Sequence, residues 1–392
     1  MPNTVATINS ISNFNIKNRS LINKRWKFND PEYSNLEEIR DMFRKQRDLQ
    51  KPHDLVTDFS RAKVEFTSNG VPTLRFVKTS GDLSERCIFS KRGWDSFMTF
   101  IAPGGLRDWE ALASLDEIGT KISEMALNKL VQNRAGFEAL FRTQLTKVKT
   151  GDGDAVVRMI RTVQSGSANG YTALDNLSVL EQLLLDQRFA ESRVLQLSQE
   201  DERFSLRLSM TKDEDVLELG KQYPTLSILN SEVGLGSINI ASGTMRPKCL
   251  NGMFSTSDES SIRFVHRGNR DRIIDSIHSN YTNFVSASQR VVDLYNRSLE
   301  VEVNDIHRLM ELEFANLKSS QKLTETEQDL IYESLSGETT SDNSTLASMI
   351  DAMTFAAKSL PLDRQAGLET LSFELLEKSL RKAVNNKILL EV

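Results

Sequence analysis

Phe204, Leu206, Leu208 and Met210 alternate with polar residues, and this period of two predicts a half-buried strand over residues 203–211. Shorter apolar runs follow at 225–229, 237–241, 248–254 and 261–265, punctuated by Gly234, Gly236, Gly243 and Gly252. Short strands joined by tight turns are expected there. Residues 155–163 are more continuously apolar and predict a buried strand. Nearer the start, residues 63–67 and 73–77 flank Ser68-Asn69-Gly70. Asn and Gly tolerate positive φ, so this pair predicts a β-hairpin.

Other segments repeat at three and four. Residues 36–51 predict a helix, with Ser34 and Glu37 at capping-box spacing and Lys51-Pro52 as the stop. Residues 91–100 predict a second helix, broken at Pro103-Gly104-Gly105. Leu112, Leu115, Ile118, Ile122 and Met125 lie at helical spacing, so one or two core helices are expected within 106–146. Residues 174–187 read as helical, with Asp175 as a candidate cap. From about residue 271 helical spacing takes over, beginning with Ile273, Ile277, Tyr281 and Phe284. The polar stretch 334–344 reads as a linker.

These elements predict an α+β fold: a small antiparallel-rich sheet packed with helices, followed by an acidic all-helical C-terminal region. Three parts are expected: a basic, partly disordered N-terminal arm with one helix (1–54), an α+β core (55–270) and the helical region (271–392). Charge agrees with this division. Residues 1–51 carry 10 Lys and Arg against 6 Asp and Glu, and residues 300–392 carry 9 against 17. In the last segment Leu346, Met349, Ile350, Met353, Leu368, Leu371, Leu375, Leu376 and Leu380 share helical spacing. Such a face either packs on the chain's own core or carries homo-oligomer association.

Composition narrows the class. The 392 residues have a formal charge of −5 and are 39% hydrophobic and 26% charged, an ordinary globular balance. No run approaches the roughly 20 apolar residues that cross a bilayer, and the first twenty residues lack the apolar core of a secretory signal. No membrane partner is expected. Two cysteines, Cys87 and Cys249, cannot build a disulfide framework, which points to a reducing cytoplasm. His53, His266, His278 and His307 stand in no zinc spacing, Asp152 and Asp154 lack a third carboxylate, and no P-loop or nucleophile elbow occurs. Neither metal nor cofactor is expected.

The basic signal is local. Residues 261–272 read SIRFVHRGNRDR, with Arg246 and Lys248 just upstream. Arg246, Lys248, Arg263, Arg267, Arg270 and Arg272 are candidate phosphate contacts, and Phe264 and His266 candidate stacking rings. The alternative is that these arginines pair with the acidic C-terminal region.

Three further segments stand in a fixed order: Asn230-Ser231-Glu232-Val233-Gly234, then Arg246 to Cys249, Asn251 and Gly252, then Arg263 to His266. With Arg161, Ser165, Tyr171, Asp175 and Asn176 upstream, this order resembles the phage- and plasmid-encoded family known as domain of unknown function 932, over about residues 60–300. Extra residues separate Ser165 from Tyr171, and Gly170 stands where that family usually has an arginine. The resemblance implies a mobile-element protein of the bacterial cytoplasm. By its association with DNA-handling genes it also implies a DNA-related role. Read physically, Gly234 and Gly252 suit positive-φ turns, and Asn230 and Asn251 can bond nearby backbone. Glu232 needs an arginine partner, and Arg246 is the nearest candidate across a hairpin. The set is then either a staple of the sheet or a polar pocket of Glu232, Arg246, Asn251 and His266.

Three functions compete. The leading one is a non-catalytic nucleic-acid-binding protein that handles single-stranded DNA in recombination or replication. The second is a virion-associated or host-interaction protein. The third is a nuclease-like or nucleotide-modifying enzyme using Glu232 and His266.

Overall fold

The computed structural model describes residues 24–26, 35–67, 72–102, 117–145, 155–162, 171, 174–199, 203–210, 222–246, 251–255, 261–266, 270–338 and 344–386. Most of the expected N-terminal arm lies outside these. Within it Lys24–Trp26 (β1) is a strand, and Leu36–Gln50 (α1) is the expected helix. Its N-cap is Asn35, whose side chain accepts from the Glu38 N–H at 3.0 Å; Ser34 lies outside the described residues. Lys51 ends the helix in the left-handed conformation, φ +44°, directly before Pro52.

Two sheets carry the α+β fold. The first joins His53–Asp58 (β2), Ala62–Phe66 (β3), Pro72–Phe76 (β4), Cys87–Phe89 (β5), Glu138–Leu145 (β6) and Ala155–Thr162 (β7), in the order β2-β6-β7-β5-β4-β3. The β3–β4 pair is the predicted hairpin. Helices Lys91–Ile101 (α2) and Glu117–Gln132 (α3) cover one face. Phe59, Phe97, Leu127, Val131, Phe141 and Val157 form the core between them. Gly93 sets how closely α2 approaches. A Cβ there would lie 1.9 Å from the Val157 carbonyl oxygen, and the Ser90 hydroxyl donates to that same oxygen at 3.2 Å. Residues 138–145 are strand, against the helical expectation. Leu140, Phe141 and Leu145 fit helical spacing, yet Leu140, Arg142 and Gln144 form one face of a two-residue repeat.

The second sheet adds Val194–Gln199 (β8), Phe204–Ser209 (β9), Tyr223–Asn230 (β10), Ile238–Arg246 (β11), Asn251–Phe254 (β12) and Ser261–Phe264 (β13). Its order is β1-β8-β9-β10-β11-β12, with β13 also on β11. Phe204, Leu206, Leu208, Leu226, Ile228, Ile238 and Ile240 point to one face. There they meet α1, Asn176–Leu183 (α4), Arg270–Ser279 (α6) and Tyr281–Ser298 (α7), with the four-residue helix Gln187–Ala190 (α5) beside them. The predicted alternation in β9 holds, but the strand is buried on both faces.

The second face is covered by the C-terminal region, helices Ile306–Ala315 (α8), Glu325–Glu338 (α9), Leu346–Ala357 (α10) and Leu362–Asn386 (α11). A two-stranded ribbon, Glu302–Val303 (β14) with Ser344–Thr345 (β15), ties the region together. Leu346, Met349, Ile350, Met353, Leu368, Leu371, Leu375, Leu376 and Leu380 are all buried, in one cluster with Met253 of the sheet and Val291 and Tyr295 of α7. Of the two readings of this face, packing on the chain's own core is the one these contacts support. The apolar face is consumed inside the chain, because the sheet's second face offers the partner it needs. The linker expected over 334–344 is likewise helical up to Glu338. No described helix is long and apolar enough to cross a membrane.

Candidate functional site

The motif residues fall in two places. Most meet at a seam where the first sheet faces the 231–237 turn between β10 and β11. Strand β6 contributes Arg142 and Gln144, and β7 contributes Arg158 and Arg161. The register between these strands shifts between Arg142 and Thr143. Bulges re-aim side chains, and here Arg158 reaches Gln144 at 3.0 Å and Glu232 at 3.5 Å on the seam side.

Arg142 is the hub. Its Nε and Nη2 donate to the two carboxylate oxygens of Asp54 at 2.8 and 2.7 Å. Its Nη1 donates to Asp175 at 2.7 Å and to the Glu232 carbonyl at 3.0 Å. Burial opposes the Arg142 charge, but the Asp54 hydrogen bonds and the Asp175 field outweigh it and hold the pKa above its ordinary value. Asp175 sits at the N-cap position of α4 as expected, yet its side chain makes no capping bond. Glu232 does that work from the turn: its Oε1 accepts from the Asn176 N–H at 2.8 Å. A carboxylate there also complements the positive end of the helix.

The turn itself is shaped by its sequence. Gly234 has φ +66°, as expected, and a Cβ on it would lie 3.0 Å from Arg161 Nη2 and 3.2 Å from the Tyr171 ring. Arg161 Nη2 donates to the Gly234 carbonyl at 2.6 Å. Ser231 Oγ accepts from the Leu235 N–H, and Asn230 Nδ2 donates to Leu174 O and Asn176 Oδ1. Tyr171 donates to the Glu232 carbonyl at 3.3 Å and stacks on His266, ring centres 5.5 Å apart. Burial pushes the Tyr171 phenol up to about 12. Arg161, Tyr171, Asp175, Asn176, Asn230, Ser231, Glu232, Gly234 and His266 therefore do converge. Ser165 lies outside the described residues.

Arg246 does not join them. Strand β11 runs from Ile238 beside the turn to Arg246 opposite Asn251, and Met245 pairs with Tyr223. Eight residues of strand, about 26 Å, separate the two ends, so the expected Glu232–Arg246 pair is replaced by Glu232–Arg158. Asn251 and Gly252 belong to that far end too, and Lys248 and Cys249 lie outside the described residues. Gly252 does not have positive φ; it makes room, since a Cβ would lie 2.9 Å from Arg207 Nη1. The Glu232 side chain is 24% exposed, so Glu232→Gln is expected to cost only about 1–2 kcal/mol. Urea unfolding measures it, and a midpoint identical to wild type would contradict a stabilising role for the Glu232 charge against Arg158 and the start of α4.

The second place is a cleft of about 770 Å³ between the β10–β11 end of the second sheet and the C-terminal helices. Arg203, Arg263 and Arg364 line it, with Ser237, Asn239 and Ser261 between them. Arg263 is exposed on β13 and its Nε donates to Ser237 Oγ at 2.8 Å. Arg364 is half exposed and paired with Glu327. Glu374, on the same wall, accepts from Gln321. Arg270 and Arg272 stand in the first turn of α6, and Arg267 lies outside the described residues.

The two expected stacking rings are turned inward. Phe264 packs against the core of the second sheet, and His266 is 6% exposed against Tyr171. The period of two in β13 explains this, because it sends Arg263 and Val265 outward and their neighbours inward. Sequence reasoning missed Asp54, Arg142, Arg158, Arg203 and Arg364. An arginine inside an apolar strand, as at 142 and 158, was the available signal. Among the described residues no three His, Cys, Asp or Glu side chains gather as a metal site. No family model, curated protein or solved structure matches this chain.

Proposed function

We propose that this is a non-catalytic nucleic-acid-binding protein of a mobile element, one that seats a single strand along the arginine-lined cleft. The observation that carries the reading is Arg263. It stands exposed on an edge strand, forms no ion pair with a described residue, and shares the cleft with Arg203 and Arg364. Guanidinium forks match phosphate oxygens, and the hydroxyl and amide side chains between them accept a sugar–phosphate path. Arg270 and Arg272 continue the same stretch of chain. The motif resemblance supports the mobile-element part of the reading.

With Phe264 and His266 turned inward, recognition rests on the backbone and is indifferent to base sequence. Affinity should therefore fall steeply with salt, by a log–log slope of about −0.7 for each phosphate neutralised on a single strand. Arg263→Ala is expected to weaken binding to all sequences alike and to make that slope shallower by about 0.7. Fluorescence anisotropy with labelled single-stranded and duplex oligonucleotides at low salt tests this. No binding of either at tens of micromolar protein would overturn the proposal.

A further inference from the structure

Gly367 stands more than a turn inside α11, far from its C-terminal end. Glycine weakens a helix interior relative to alanine, because it gives up more backbone freedom on folding. Its place there calls for a reason. Other glycines of this protein show theirs. Gly81, Gly136 and Gly234 have positive φ. At Gly93, Gly243 and Gly252 a Cβ would lie 1.9, 2.1 and 2.7 Å from the nearest neighbouring atom. Gly236 and Gly367 have neither reason. Neither has positive φ, and a Cβ on either would meet no heavy atom within 4 Å beyond its local backbone. Both line the cleft of about 770 Å³, Gly236 from the 231–237 turn and Gly367 from the helix on the other wall. The room that a side chain would take at these two positions is cleft, and glycine keeps it open.

Bare backbone lets a ligand approach closely, and the two walls offer it different chemistry. Beside Gly236, Ser237 accepts from Arg263 Nε at 2.8 Å, which sets a cation on the sheet wall. On the helix wall, Leu368 and Leu371 follow Gly367, and Leu362 lies one turn before it. A nucleotide has the same two characters, a charged phosphate and a flat base with apolar faces.

Resting on the cleft reading above, we propose that the bases of a single strand enter the cleft and lie against α11 at Gly367, with the phosphates at Arg263, and that the protein selects unpaired strands in this way. A duplex keeps its bases stacked and paired inside, so it brings only phosphates to Arg263. Contact with the face of a base reads none of its hydrogen-bonding edge, so the selection is for unpaired bases and not for a sequence.

The test is fluorescence anisotropy at low salt with three labelled probes: a single strand, the same strand carrying abasic sites, and a duplex. The full-length protein is compared with its Gly367→Leu, Gly367→Ala and Arg263→Ala variants. Wild type should bind the intact single strand most tightly. Gly367→Leu should weaken that binding about tenfold, the worth of about one base contact, and leave the abasic strand and the duplex unchanged. Gly367→Ala should lose in the same direction by a smaller factor. It should also melt no lower than wild type, since alanine favours the helix and its Cβ meets nothing. Three results would each overturn the inference: an abasic strand bound as tightly as the intact one, a Gly367→Leu protein that binds the intact strand like wild type or loses all three probes alike, or a lower melting point for Gly367→Ala. If Arg263→Ala still weakens binding in those cases, the phosphate contacts of the cleft stand without it. No binding of any probe by wild type would overturn both.

Discussion

Glu369→Ala is expected to destabilise the protein by about 3–5 kcal/mol, because it leaves the Arg207 charge buried without its partner. The Arg207 and Glu369 side chains are 3% and 1% exposed. Arg207 Nη2 donates to both oxygens of Glu369, at 2.7 and 2.6 Å, and Gln365 Nε2 donates to Oε1 at 3.0 Å. The Arg207 guanidinium also lies over the Phe254 ring, 5.0 Å from its centre. This pair joins β9 to α11 across the interface that buries the second sheet, so water cannot replace the lost carboxylate without opening that interface. Glu369→Gln keeps the shape and one acceptor and should lose less. Replacing both partners, Arg207→Met with Glu369→Leu, should recover most of the loss, because no charge then remains to be desolvated. Urea unfolding of the three variants measures this. A Glu369→Ala midpoint within error of wild type would contradict the buried-pair account.

Arg142→Ala should cost about 3 kcal/mol, near the lower end of the range for a broken buried pair. The arginine side chain is 5% exposed, but Asp54 and Asp175 are 35% and 26% exposed and can regain water when it leaves. Its effect should be wider than its energy. One guanidinium holds an edge strand through Asp54, the start of α4 through Asp175 and the 231–237 turn through the Glu232 carbonyl. Amide exchange should therefore accelerate at all three segments together. Arg142→Lys keeps the charge but cannot form the two-pronged bond to Asp54, so it should recover only part of the loss. Acceleration confined to the edge strand would show that the hub does not couple the two sheets.

Several elements were legible along the chain because their cause is local. The β3–β4 hairpin follows from two apolar runs around a turn that favours positive φ, and the polar–apolar alternation of β9 marks its core face. The C-terminal helices follow from their three-and-four spacing, and Gly234 from its place in a tight turn. Residues 138–145 misled because eight residues with a few apolar positions fit either period, and only pairing with β2 and β7 resolves them. The seam was half legible. Its residue types stand out in the sequence, but sequence proximity pairs Glu232 with Arg246, and the length of β11 carries Arg246 away. The partner came instead from a bulged strand 74 residues earlier.

The sequence by itself determined which faces are apolar, where turns fall and where helices start and stop. Each of these rests on backbone geometry and on solvation of neighbouring residues. Only the tertiary structure decided what those faces are buried against and which charge meets which. It consumed the C-terminal apolar face inside the chain, turned Phe264 and His266 inward and set Arg158 rather than Arg246 against Glu232. The physical reason is that hydrophobic burial is non-directional and does not choose its partner, and a buried charge accepts any opposite charge that comes within reach.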